Sequence, residues 1–159
     1  MVVFAWVAVL GLLTVLFQPL LEQQVNPNRE IVGQVDAQGA REVVLQRNRA
    51  GHYIATGLIN QQPVVFLLDT GATDVAISSA LADRLNVDRG RAVNVRTANG
   101  MTRAYRATLD QVSLGNITMN NVSASIMSGM GTTEVLLGMS FLKRLELTQK
   151  GSTLTLRQK

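Results

Sequence analysis

The chain has 159 residues, 47% of them hydrophobic and 16% charged, and a formal net charge of +4. This length is enough for one compact domain with a short additional segment, and it excludes a protein of two large lobes. The chain has no cysteine, which excludes disulfide scaffolds, zinc–thiolate sites and cysteine nucleophiles. It has one histidine, which excludes a metal motif with two histidines. The basic residues are scattered singly, so we expect no nucleic-acid partner, and we expect neither a metal nor a cofactor.

The first 21 residues contain no charged side chain and are almost entirely apolar. A helix of about 20 such residues spans the hydrocarbon core of a bilayer, whereas a helix at the surface of a soluble protein would have a polar stripe. We therefore predict a transmembrane anchor over residues 1–21. An uncleaved anchor is favoured over a signal peptide, because no basic residue precedes the segment and no small-residue cleavage pattern follows it. Arg29 is the first basic residue, so charge does not determine the orientation.

Residues 22–42 have the sequence EQQVNPNREIVGQVDAQGARE, which is rich in Gln, Asn and charged residues. This composition is typical of a flexible linker between a membrane anchor and a domain. We therefore assign residues 43–159 to the folded domain.

Short apolar runs separated by Gly, Asn and Pro follow the linker. They predict strands at residues 42–47, 52–58, 64–68, 75–77, 92–97, 104–114, 117–126 and 153–156. Residues 60–63 and the pair Gly115-Asn116 are predicted turns. Two short helices are predicted at 80–86, capped by Ser78 or Ser79, and at 141–145, beginning at Ser140. The fold class is therefore all-β, a barrel or a sandwich with one or two short helices.

The most informative stretch is Val64-Val65-Phe66-Leu67-Leu68-Asp69-Thr70-Gly71-Ala72-Thr73. Five consecutive apolar residues predict a strand buried on both faces. A carboxylate at the end of such a strand is costly to desolvate unless other groups compensate. Gly71 permits a sharp turn, and the hydroxyls of Thr70 and Thr73 are candidates to hold the carboxylate. Taken alone, the stretch is equally consistent with an ordinary turn in which Asp69 is solvated.

A second apolar run, Val135-Leu136-Leu137-Gly138, leads into a predicted helix. The two elements in this order resemble the retropepsin-like (retroviral-type) aspartic proteases. The stretches GHYIATGLINQQPVVFLLDTGAT (51–73), VRTANGMTRAY (95–105) and LLGMSFL (136–142) are similar to the bacterial membrane-anchored branch of that family. The resemblance covers residues 48–156 and implies a closed barrel that forms half of an acid-protease unit.

The resemblance also implies roles for the residues of the two elements. Asp69 would be the catalytic carboxylate, and residues Thr70, Gly71, Ala72 and Thr73 would form the active-site loop and brace the dimer. Leu136, Leu137 and Gly138 would support the cleft. Because the chain has one Asp-Thr-Gly and no length for a second lobe, the pair of carboxylates must come from two chains.

The resemblance further implies a flap, a mobile hairpin over the cleft, at Ala98, Asn99, Gly100 and Met101. The flap of the retroviral members is glycine-rich, whereas this one has a single glycine. The expected function is an aspartic endopeptidase that acts on membrane-proximal or envelope proteins. The expected location is the bacterial inner membrane, with a single span and the protease domain in the periplasm.

Two other functions fit the same sequence. One is a noncatalytic dimerisation or peptide-binding module on the same fold, because fold alone does not establish chemistry. The other is an anchored structural protein in which Asp69 merely ends a strand. Release of peptide fragments separates the enzyme from the binding module, and a chain that stays monomeric at high concentration favours the structural protein.

Overall fold

A computed structural model describes residues 2–97 and 100–158. The helices are α1 (Val2–Val25), α2 (Ser79–Arg84) and α3 (Met139–Leu142). The strands are β1 (Gln34–Val35), β2 (Arg41–Gln46), β3 (Ile54–Ile59), β4 (Gln62–Leu68), β5 (Val75–Ser78), β6 (Ala92–Thr97), β7 (Gly100–Leu114), β8 (Ile117–Met127), β9 (Val135–Leu137), β10 (Glu146–Lys150) and β11 (Thr153–Gln158). The predicted all-β class with few short helices is confirmed.

Helix α1 does not pack into the domain along its apolar length. Phe4, Trp6 and Leu10 expose 81%, 64% and 61% of their surfaces. Within the described part of the chain, the segment Trp6–Val25 is the one long and apolar enough to cross a membrane. The same properties fit a signal sequence, so α1 is a candidate for either.

Seven strands form one sheet in the order β3-β4-β9-β5-β8-β7-β6. Strand β3 also pairs with β7 through Leu58↔Ser113 and Ile59↔Val112, which closes the sheet into a barrel. The barrel interior is filled by fully buried apolar side chains that include Ile59, Phe66 and Leu109. The predicted turn between β3 and β4 has positive φ at Asn60 and Gln61, as a two-residue hairpin turn requires.

Strand β4 differs from the predicted strand with two buried faces. Val64 and Phe66 are buried, whereas Val65, Leu67 and Leu68 are half-buried. The side chains alternate because one face of β4 points into the barrel and the other points away from it.

The remaining four strands form an antiparallel sheet in the order β1-β2-β11-β10. Strands β1 and β10 were not predicted. All five residues of β10 are exposed, so its side chains lack the apolar alternation by which a strand is recognised in a sequence. Strand β1 is only two residues long.

The segment predicted as a flexible linker contains ordered contacts with the domain. Asn26 and Asn28 expose 7% and 5% of their surfaces. The amide nitrogen of Asn28 donates to the carbonyls of Gln46 (2.8 Å) and Ile54 (2.7 Å). The side-chain oxygen of Asn28 accepts from the backbone N–H of Gln46 at 2.7 Å. These contacts exist because an Asn side chain can complete the backbone hydrogen bonds of two strands at once. The division into anchor, linker and domain remains a prediction.

The two short domain helices differ from their predicted bounds. Ser78 caps α2 as predicted, since its hydroxyl accepts from Leu81 N at 3.2 Å. Helix α3 begins at Met139, and its N-cap is Gly138 rather than Ser140. The hydroxyl of Ser140 is engaged elsewhere, as described below.

Candidate functional site

Asp69 directly follows β4 and is fixed by the neighbouring strand. Its backbone N–H donates to the carbonyl of Leu137 in β9 at 3.2 Å. Strands β4 and β9 are parallel, with Leu67 opposite Leu136 and Leu68 opposite Leu137. The backbone of Asp69 is therefore an extension of the barrel sheet, which gives its side chain a rigid base.

The carboxylate of Asp69 is held by the loop that follows it. Its Oδ1 atom accepts from the backbone N–H of Gly71 at 2.8 Å. A β-carbon at position 71 would lie 3.1 Å from the same oxygen, so a glycine leaves this contact unobstructed. Asp69 is half-buried and Gly71 is exposed, so the carboxylate lies at the protein surface.

The threonine hydroxyls were expected to hold this carboxylate, and they do not do so within one chain. Thr70 and Thr73 are both exposed. In the described part of the chain, the hydroxyls of these two residues make no hydrogen bond, and a backbone N–H of the loop binds Asp69 instead. The Thr70 side chain is thus available on the same surface as Asp69.

Strand β9 lies between β4 and β5, so the loop 69–74 crosses over its end. Gly138 follows β9 at this crossing, and a β-carbon there would lie 2.7 Å from the carbonyl oxygen of Ala72. The next two residues hold the loop, since Met139 N donates to Ala72 O (2.8 Å) and Ser140 N donates to Thr73 O (2.9 Å). The start of α3 therefore holds the loop around Asp69 in place through two backbone hydrogen bonds.

Ser140 has a structural role that the sequence did not indicate. Its side chain, 6% exposed, donates to the carbonyl of Ser123 at 2.7 Å and accepts from the backbone N–H of Val75 at 3.0 Å. It therefore connects α3 to β5 and β8. No local sequence pattern identifies this role, because the partners of the hydroxyl are backbone groups of two strands far away in the sequence.

The predicted flap corresponds to the end of the β6–β7 hairpin. Thr97 pairs with Gly100, and the Thr97 hydroxyl donates to the carbonyl of Gly100 at 2.9 Å. Ala98 and Asn99 lie outside the described residues. Met101 exposes 63% of its surface, so its side chain is available for contact with another molecule.

A polar cavity of about 500 Å³ lies beside the site and not over it. Asp74, Arg106 and Asp110 are among its lining residues, whereas Asp69, Thr70 and Gly71 are not. Asp69 is half-buried and the two residues after it, Thr70 and Gly71, are exposed, so this end of the loop lies at the surface of a single chain. Among the described residues, no group of three His, Asp or Glu side chains is arranged to hold a metal ion.

The structure thus brings together most of the residues that the sequence singled out. Asp69, Gly71 and Ala72 of the loop lie against Leu137 and Gly138. Leu136 is paired with Leu67 and with Ala76 of β5, one position deeper in the sheet.

Two curated bacterial proteins resemble the chain along most of its length. An uncharacterized protein in the cobV 5′ region of Sinorhizobium sp is 36% identical over 117 residues, which are 72% of this chain and 50% of that protein. An uncharacterized protein of Rickettsia prowazekii (strain Madrid E) is 31% identical over 109 residues, which are 66% of this chain and 46% of that protein. The chain therefore spans about half the length of these relatives.

The fold is similar to that of a solved aspartic protease. A retropepsin-like aspartic protease from Rickettsia conorii aligns with a TM-score of 0.64 and 27% sequence identity, covering 81% of this chain and 96% of that one. Residues 55–144, more than half of the chain, match the gag-polyprotein putative aspartyl protease family. This match contains the Asp69 loop, the β6–β7 hairpin and the Gly138 turn, and the chain therefore belongs to the gag-polyprotein putative aspartyl protease family, with a retropepsin-like fold.

Proposed function

We propose that the protein is an aspartic endopeptidase that is active as a homodimer, with Asp69 of each chain as a catalytic residue. The observation that carries the proposal is the position of Asp69 in a chain of this family. Its carboxylate follows a rigid barrel strand, is oriented by the Gly71 N–H, and stays accessible at the surface. A carboxylate that served only to end a strand would not need a loop held in place by the start of α3.

The homodimer is proposed because one Asp69 carboxylate alone is not enough for this chemistry. Aspartic-protease chemistry requires two carboxylates, and the chain contains one Asp-Thr-Gly sequence. A second copy related by a twofold axis would supply the second Asp69 and cover the surface at this end of the loop. The exposed Thr70 would then lie at the contact between the two loops, where its hydroxyl is free to bond to the partner loop.

The paired carboxylates would divide the chemical work. Two carboxylates held close together share one proton, because both cannot ionise cheaply. The ionised one takes a proton from a water molecule, whose oxygen forms a bond to the carbonyl carbon of the substrate. The protonated one gives its proton to the carbonyl oxygen. The tetrahedral intermediate then breaks at the C–N bond, and a proton passes to the leaving nitrogen.

The remaining residues would position the substrate. The backbone of Gly71 and Ala72 would form the floor of the cleft and leave peptide groups available to an extended substrate. The β6–β7 hairpin would cover the substrate and exclude water, with Met101 as an exposed apolar contact. With α1 as an uncleaved anchor in the bacterial inner membrane and the domain in the periplasm, the substrates would be membrane-proximal segments of envelope proteins.

The test is cleavage of a mixed peptide library by the full chain in detergent over a range of acidic to neutral pH. Asp69→Asn is expected to abolish fragment release while it leaves the melting temperature unchanged. The matched control is Asp88→Asn, which changes an exposed carboxylate outside the loop and is expected to retain activity. Cleavage by Asp69→Asn would contradict the catalytic role, and binding of peptides without fragments from the wild type would indicate a binding module.

Mixing the two proteins tests the homodimer independently. Wild type and Asp69→Asn are combined at constant total concentration under conditions that permit exchange of chains. If both carboxylates are needed, activity falls as the square of the wild-type fraction. A linear decrease would show that each chain acts alone.

A further inference from the structure

We propose that the end of the four-stranded sheet nearest to α1 is a docking surface for anionic phospholipid headgroups, held against the bilayer by Asn28. The surface is formed by Arg47, Arg49 and Lys150, called here the basic rim. The proposal rests on α1 being a membrane span, and it assigns to the domain a fixed position on the membrane rather than a free one.

The connection between α1 and the domain is short and fixed by hydrogen bonds. The buried Asn28 side chain makes three hydrogen bonds with the backbones of β2 and β3, and Thr56 N donates to the Asn28 carbonyl at 3.0 Å. Asn26, also buried, donates from its amide to the Thr56 hydroxyl at 3.0 Å. Asn26 directly follows Val25, the last residue of α1. The helix therefore enters the domain without a flexible segment between them.

Part of the basic rim lies against the end of α1. The Asn48 side chain donates to the carbonyl of Val25 at 3.0 Å, and Arg49 donates to the side chain of Gln24 at 3.3 Å. The loop after β2 therefore touches the last turn of α1. If the span ends at Val25, this loop lies at the level of the headgroups.

Lys150 reaches the same end of the sheet through β11. It pairs with Thr153, Thr153 pairs with Gln46, and Arg47 N donates to the carbonyl of Ser152 at 2.8 Å. The side chains of Arg47, Arg49 and Lys150 are all exposed, so the rim is formed by three solvated cations at one end of the domain.

This end of the domain has an excess of basic side chains. Glu22, the acidic residue at the end of α1, is paired with Arg29 at 2.6 Å. Glu30 is exposed beside them. Arg29 and the three residues of the basic rim contribute four positive charges, and Glu22 and Glu30 contribute two negative ones. A net positive charge therefore lies next to the headgroups. Basic residues at a membrane surface are attracted to anionic lipids, and the attraction decreases with salt.

The test uses the absence of cysteine from the chain, which makes every introduced cysteine unique. Full-length Ala50→Cys carries a fluorophore in the rim loop. Gln38→Cys carries the fluorophore at the turn before β2, at the opposite end of that strand. The six residues of β2 separate the two ends by a distance on the order of 20 Å. Both positions are exposed. Each labelled protein is reconstituted in nanodiscs of phosphatidylcholine, with or without phosphatidylglycerol, and with a quencher attached to the headgroups.

We expect quenching of the Ala50 label to exceed that of the Gln38 label, and phosphatidylglycerol to increase it at Ala50 alone. The double change Arg47→Gln/Arg49→Gln is expected to remove this increase, as is high salt. The charge-matched control, Arg84→Gln/Arg91→Gln, changes two exposed arginines elsewhere and is expected to preserve it. Equal quenching at the two labels, or an Ala50 signal indifferent to anionic lipid and to the rim arginines, would overturn the proposal.

Two measurements separate this proposal from those on which it depends. Retention of the chain in membranes after an alkaline wash tests the membrane span without reference to the rim. Peptide cleavage by the rim variant in detergent is expected to equal that of the wild type, because Arg47 and Arg49 lie outside the Asp69 loop. The rim can therefore fail while the proposed activity holds, and the reverse.

Discussion

The α-carbon of Gly138 lies directly against the backbone carbonyl of Asp74, so closely that any β-carbon at position 138 would overlap the carbonyl oxygen. The same β-carbon would lie 2.7 Å from the carbonyl oxygen of Ala72. Both neighbours are backbone atoms and cannot rotate away as a side chain can. The lack of a side chain at residue 138 therefore sets how closely β9 and the Asp69 loop approach each other.

The first prediction is that Gly138→Ala destabilises the domain. The added methyl group must push the loop 69–74 away from β9, and forced packing of this kind costs about 3 kcal/mol. Urea unfolding followed by circular dichroism measures the change in the free energy of unfolding. Because the displaced loop carries Asp69, peptide cleavage should decrease even below the melting temperature.

The control for this change is Gly131→Ala. A β-carbon at position 131 would meet nothing within 4 Å, and this glycine is exposed. We expect the free energy of unfolding and the cleavage rate to stay close to wild type. A Gly138→Ala protein as stable as this control would show that the loop relaxes freely, contrary to the rigid base proposed for Asp69.

The second prediction concerns the hydroxyl of Ser140. Ser140→Ala leaves the N–H of Val75 and the carbonyl of Ser123 without their hydrogen-bond partner, and Val75 is fully buried. An unsatisfied buried polar group costs about 1–3 kcal/mol, so the free energy of unfolding should fall by about 2 kcal/mol. Ser152→Ala, at an exposed position, provides the control and should lie within about 0.5 kcal/mol of wild type. A wild-type melting curve for Ser140→Ala would show that water replaces the hydroxyl.

The third prediction is that Asn28→Ala destabilises the domain although residue 28 lies in the connection after α1. The change removes three hydrogen bonds of a buried side chain: a buried one to Ile54 and two partly buried ones to Gln46. It should therefore lower the free energy of unfolding by about 3 kcal/mol. Asn94→Ala, at an exposed position in β6, is the matched control. If Asn28→Ala unfolds at the wild-type urea concentration, the connection contributes nothing to the domain and is a linker in the ordinary sense.

The success of the sequence-based predictions depended on whether a pattern is local. Most barrel strands are short apolar runs bounded by Gly, Asn and Pro, and the turn begins at Asn60, a residue type that adopts positive φ readily, so both were visible in the sequence. The Asp69 loop and the Gly138 turn were recognised as a pair because the two together, in this order, resemble the retropepsin-like aspartic proteases. Their distance from each other, however, follows from the insertion of β9 between β4 and β5, which no local pattern encodes.

The missed features share a different property, because they depend on long-range hydrogen bonds of polar residues. Asn28 lies in a polar segment whose composition is typical of a linker, yet it is buried by its contacts with β2 and β3. Ser140 resembles a helix cap in the sequence, and its hydroxyl instead bonds to Val75 and Ser123. A polar side chain reveals its burial only when the strands that it joins are in place.

The last prediction concerns acid stability and the ion pair between Asp36 and Arg157. The Arg157 side chain donates to Asp36 (Nε–Oδ2 2.8 Å), and this hydrogen bond is the largest cause that holds the pKa of Asp36 below its ordinary value of 3.8. Backbone N–H groups of Ala40 and Gln38 act in the same direction, whereas burial opposes them. The same pairing raises the pKa of Arg157, which remains protonated throughout the accessible range.

Because the pKa of Asp36 is lower in the folded state, the unfolded chain binds a proton more readily at this carboxyl group. The stabilisation is therefore fully present well above pH 3.8 and is lost as the pH falls through that value toward the folded-state pKa. Asp36→Asn should lower the melting temperature near neutral pH, and its difference from wild type should shrink as the solution is acidified below about pH 4. Asp88→Asn, the control for loss of one exposed carboxylate, should follow the wild-type curve. A difference between Asp36→Asn and wild type that stays constant from neutral to acid pH would show that the charge of Asp36 does not stabilise the four-stranded sheet through Arg157.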